Sequence, residues 1–90
     1  MIVSKNEVTG NCQLTVDSFD LELVKKAIWD EQLLYYKLIK DRGHYDSVAP
    51  ETVEEWKEKL RHLMNMADEI QRGSGTCCNT VRDLAVKLGV

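Results

Sequence analysis

Apolar residues recur at helical spacing over two long stretches of this chain and alternate with polar ones over one short stretch near its start. The longest periodic stretch runs from Asp17 to Gly43 and predicts a helix over 18–42. At about 100° per residue, Leu21, Leu23, Val24, Ala27, Ile28, Leu34, Tyr35, Leu38 and Ile39 share one broad face, the width of a core-facing helix. Trp29, Leu33 and Tyr36 fall on the other side at i, i+4 and i+7, among Lys26, Lys37 and Lys40. A contiguous aromatic patch on a charged face marks an interface. Either the short third helix or the N-terminal segment covers this stripe, or it serves association. We adopt the second reading, with Trp29, Leu33, Tyr36, Lys26, Lys37 and Lys40 as the partner-binding set. Glu31 projects from the middle of the expected core face, where a carboxylate needs a partner or a route to water.

The second helix is expected over 50–72. Pro50 suits a first helical turn, and Thr52 with Glu55 forms a capping-box pattern. Val53, Trp56, Leu60, Leu63, Met64, Ala67 and Ile70 make a single stripe. The opposite face offers Glu55 with Lys59, Glu58 with His62 and Asp68 with Arg72, each at i, i+4. The linker HYDSVAP is short, so the two helices should fold back antiparallel. Residues 73–76, Gly-Ser-Gly-Thr, are expected to break the second helix, and a third is expected over 77–88. Alternation of Cys12, Leu14 and Val16 with Gln13 and Thr15 predicts a β-hairpin over 2–16. A three-residue loop, Thr9-Gly10-Asn11, would set Val8 opposite Cys12. Asp17 or Ser18 should cap the first helix. The expected fold is mainly α, one domain: an antiparallel helical hairpin, a short third helix and a small N-terminal β-hairpin.

Composition narrows the function classes. Ninety residues, 43% apolar and 30% charged, describe an ordinary globular domain with a modest core. The net charge of −3 comes without a basic block, which argues against nucleic acid as a partner. No apolar run reaches the roughly 18 residues of a membrane span, and MIVSKNEV lacks a signal-peptide layout. Cys12, Cys77 and Cys78 are an odd number with two adjacent, which suits reduced thiols in the cytoplasm rather than a disulfide framework. No C-x-x-C pair accompanies His44 and His62, so neither a metal nor a cofactor is expected.

Three motifs bear on chemistry. The turn Arg72, Gly73, Ser74, Gly75 and Thr76, with Arg82 nearby, could hold an anion if it precedes a helix N-terminus. Thr80–Val90, TVRDLAVKLGV, resembles the opening helix and turn of helix-turn-helix proteins, but the chain stops where the recognition helix would begin. Glu54, Glu55 and Glu58 spell E-E-x-x-E, similar to half of the magnesium motif of all-α nucleoside triphosphate pyrophosphohydrolases. That resemblance implies a later E-x-x-D; here Thr80 and Asp83 occupy the two positions.

In size and style the chain resembles small phage-encoded proteins that inhibit host defences. The resemblance implies a non-enzymatic, homo-oligomeric binding protein acting through protein–protein contacts. A sponge that sequesters a small nucleotide between subunits, and a degenerate pyrophosphohydrolase, are the alternatives.

Overall fold

Asp17 sets the start of the dominant element. Its backbone is extended, and its carboxylate accepts a 2.7 Å hydrogen bond from the Asp20 N–H, satisfying an otherwise orphaned donor. In the computed structural model, which describes residues 1–90, α1 then runs Ser18–Arg42. Two strands precede it, β1 (Ile2–Lys5) and β2 (Cys12–Thr15). Two helices follow, α2 (Pro50–Ser74) and a short α3 (Arg82–Val86). The expected helical hairpin is present, with α1 packed on α2.

The β-hairpin forms with a different register. Lys5 pairs with Cys12 and Val3 with Leu14, so residues 6–11 make a loop twice the expected length and Val8 points to solvent. Asn6 is the reason. Its side-chain oxygen accepts from the N–H groups of Val8 and Thr9, at 2.9 and 3.2 Å. Its own N–H and C=O bond Asn11 and Gly10. Gly10 closes the loop at φ 74°, a conformation only glycine adopts freely.

At α2, Pro50 starts the helix two residues before the expected cap. Ala49 is the N-cap and makes no side-chain cap bond, so the capping box is not formed. Glu55 pairs forward with Lys59 at 3.0 Å. At the other end, α2 continues through Gly73 and Ser74 rather than breaking after Arg72. The Ser74 hydroxyl donates to the Ile70 carbonyl at 2.6 Å, and the left-handed Gly75 ends the helix, donating to Gln71 at 2.9 Å.

The third helix is much shorter than expected. Gln32 Nε2 donates to the Asn79 carbonyl at 3.0 Å, and Gln32 Oε1 accepts from the Val81 N–H at 3.1 Å. Gln71 Oε1 accepts from the Cys78 N–H at 3.4 Å. Backbone groups satisfied by these side chains are not available for a helical ladder. Regular α3 therefore begins only after Val81, whose carbonyl takes the Ala85 N–H at 2.8 Å.

Leu60, Met64, Val81, Ala85 and Ile39 form one buried cluster, and Ile28, Ala67 and Cys78 a second. Every residue of the expected α2 stripe is buried or half-buried. The expected α1 face is only half right. Ile28 and Ile39 are buried, whereas Leu23 and Leu34 are 54% and 49% exposed and Ala27 is exposed as well. α2 takes one side of α1, and the 78–90 segment takes the adjacent side that carries Trp29, Leu33 and Tyr36. Leu23, Ala27 and Leu34 are left outside.

Candidate binding surfaces

The aromatic stripe is not on a wet face. Trp29, Leu33 and Tyr36 are half-buried and pack on the cluster that contains Val81 and Ala85. Their expected exposure fails because the C-terminal segment lies over them. The lysines around them do remain outside. Lys26 pairs with Asp30 at 2.9 Å, Lys37 is exposed, and Lys40 Nζ stands 5.9 Å from the Tyr36 ring centroid.

The Gly73–Thr76 turn differs from the expected anion cradle in polarity. It closes the C-terminal end of α2, where free carbonyls and the negative pole of the helix dipole face outward. No helix starts at Thr76. Its hydroxyl lies 2.9 Å from the Ser74 hydroxyl and accepts a 3.5 Å bond from Lys25. Arg82 is turned toward α2, paired with Asp68 rather than with the turn, so the expected Asp68–Arg72 pair does not form. Arg72 is exposed. The Gly73–Thr76 turn is thus held by its own hydroxyls and by Lys25, while Arg82 is engaged by Asp68.

The acidic triplet is exposed on α2. Glu54 holds Lys57 at 3.6 Å and Glu55 holds Lys59 at 3.0 Å. Glu55 and Glu58 line an open groove of about 470 Å³ between α1 and α2, with Glu31, Tyr35, Lys59, His62 and Leu63. Glu31 is exposed there, clear of the core it was expected to face. A hydrogen bond to Glu55 and its negative charge hold the Lys59 ammonium above its ordinary range, and Tyr35 adds to the effect. No three acidic, histidine or cysteine side chains converge as metal ligands, so the residues do not fit the magnesium site that the E-E-x-x-E resemblance implies.

The thiols divide by burial. Cys12 and Cys77 are exposed, and Cys77 Sγ lies 3.6 Å from Asn79 Oδ1. Cys78 is buried, and desolvation raises its pKa, opposed in part by the Lys25 charge.

What sequence reasoning missed is a second, uncovered apolar face. Phe19 is 73% exposed, and with Leu23, Ala27 and Leu34 it follows i, i+4, i+8, i+15 along the side of α1 away from α2. Leu38, half-buried, extends it. The hairpin also exposes Met1, Ile2, Val3 and Leu14, of which Leu14 borders a separate groove with Leu21, Val24 and Ile70. The signal was present in the breadth of the α1 apolar arc, which is too wide for one neighbour. Gln32 was also missed, although a glutamine spaced with Ile28, Tyr35 and Ile39 on a core face must find backbone partners. It has no exposed surface and is fully bonded.

No helix is long and apolar enough to cross a membrane. Comparison with protein-family models, with curated proteins and with solved structures finds no match to this chain.

Proposed function

We propose that this chain is a homo-oligomeric binding protein that acts by protein–protein contact rather than by catalysis. The observation that supports this is its surface. The protomer exposes 6568 Å². A compact monomer of 10.3 kDa exposes about 5,350 Å², so the excess is roughly 1,200 Å². The radius of gyration, 15.3 Å, likewise exceeds the roughly 12 Å of a compact 90-residue domain. The excess includes large apolar side chains on α1 and the hairpin, which a second surface would remove from water. The partner we propose is a protein, in the manner of small phage inhibitors of host defence. Chemistry is disfavoured by the pairing of Glu54, Glu55 and Asp68 with basic side chains of the same chain.

Native mass spectrometry with sedimentation equilibrium tests the reading. The expected result is an assembly at a multiple of 10.3 kDa carrying no small-molecule adduct. A monomer at every accessible concentration would remove the basis for it, and a retained nucleotide would favour the sponge.

A further inference from the structure

We infer that two copies associate through the outer face of α1, packed antiparallel about a two-fold axis level with Ile28 and Trp29. This assignment rests on the self-association proposed above and specifies its surface.

The face is self-complementary. Measured from the midpoint between Ile28 and Trp29, apolar positions on the exposed side recur at matching distances in both directions. Phe19 matches Leu38, and Leu23 matches Leu34. A two-fold axis at that level therefore sets Leu23 of each copy against Leu34 of the other, and Phe19 beside Leu38. Two helices in this relation pack at the shallow angle of antiparallel bundles.

Charge selects the antiparallel arrangement over the parallel one. Lys26 and Asp30 flank the stripe on the same side and are bonded at 2.9 Å within the chain. Antiparallel packing brings Lys26 of one copy alongside Asp30 of the other. The two intrachain pairs then close into a ring of four alternating charges. A parallel two-fold would instead carry the Lys26–Asp30 pairs to opposite flanks of the seam, where no such ring can close.

The area fits. A standard interface buries about 800 Å² per partner, and the whole-molecule surface excess of roughly 1,200 Å², shared between α1 and the hairpin, is of that order. With 25 residues, α1 is about 37 Å long, so the seam extends along most of the molecule's 44 Å length. The chain's own core is complete without this face: the buried α1 residues Ile28, Gln32 and Ile39 point elsewhere.

The experiment is sedimentation equilibrium on the full chain and four variants, with circular dichroism to follow helix content. Leu23→Asp and Leu34→Asp, both at exposed positions, are expected to weaken association by at least roughly 100-fold. Lys26→Asp should weaken it about tenfold, and the exchange Lys26→Asp with Asp30→Lys should return it to near the wild-type value. If the exchange variant stays as weak as Lys26→Asp, the antiparallel register is wrong. An oligomer undiminished in both leucine variants would overturn the surface while leaving self-association standing. A monomeric wild-type chain would overturn both.

Discussion

Gln32 and Val81 are joined by a 3.1 Å hydrogen bond across 49 positions of sequence, from a backbone N–H to a side chain with no exposed surface. The same amide donates to the Asn79 carbonyl. One side chain in the middle of α1 thus satisfies two backbone groups of the segment that covers the aromatic stripe. Replacing Gln32 with Ala leaves both groups without partners and opens a cavity. Chemical denaturation should show a loss of about 2–4 kcal/mol. Gln32→Leu fills the volume but not the bonds, so its loss should also exceed about 1 kcal/mol. A neutral result for Leu would mean that the bonds hold nothing together.

Trp29 now reads as a packing residue. Trp29→Ala should cost about 2–4 kcal/mol in stability, as truncation of a large, mostly covered aromatic does. Under the proposed self-association its effect should be seen in unfolding midpoints, not in the association constant measured where the chain is folded. Loss of association with unchanged stability would return the stripe to the interface.

The Arg82–Asp68 pair fastens α3 to α2 at the surface, where both side chains are about half exposed. Arg82→Ala should therefore cost no more than about 1 kcal/mol, with the difference shrinking in high salt. Denaturant titrations at low and high ionic strength measure this directly.

The three thiols should react in two classes. Under native conditions Cys12 and Cys77 are expected to be alkylated quickly, and Cys78 only after denaturant is added. The sign of the pH effect follows from burial. The folded-state pKa of Cys78 is raised above its ordinary value of 9.0, so the folded chain holds this proton more tightly than the unfolded chain. Its contribution to stability is complete below pH 9.0 and is lost as pH rises through the folded value. Unfolding midpoints of the wild type and Cys78→Ala should therefore converge above pH 9 and differ most below it. A gap that widens with alkali would reverse the assignment.

Gly10 holds the hairpin loop at positive φ with open space around it. Gly10→Ala meets no neighbour, so its cost is backbone strain alone, about 1 kcal/mol. Hydrogen exchange should then speed up in residues 2–15 and leave α1 and α2 unchanged.

The parts of the fold that were legible in the sequence are those with a single neighbour. α2 presents one stripe, Val53, Trp56, Leu60, Leu63, Met64, Ala67 and Ile70, and every residue of it is buried or half-buried as the spacing requires. α1 meets two neighbours, and one of them is irregular. Residues 77–81 carry a helical spacing, Cys77 with Val81, but Gln32 and Gln71 bond the Cys78 and Val81 N–H groups and the Asn79 carbonyl, so the segment that covers Trp29 is irregular where its pattern predicts a helix. The error on α1 follows from this. The α1 spacing alone places Leu23 and Leu34 inside and Trp29 outside, and the covering segment reverses both. At residues 73–76 the small residues were visible, but the direction of the helix they terminate was not. Gly75, not Gly73, takes the left-handed conformation, which turned an expected anion cradle into a carbonyl-lined end.

The Gln32 clamp also sets an order of assembly. α1 and α2 meet through contacts nearer in sequence than the 49 positions between Gln32 and Val81, so the helical pair is expected to form first. Until residues 78–81 dock, the Gln32 amide has only water for a partner and Trp29, Leu33 and Tyr36 lack their cover. The helical pair alone is therefore expected to be stickier than the finished fold, and docking of the 78–90 segment is the step that takes its aromatic stripe out of water.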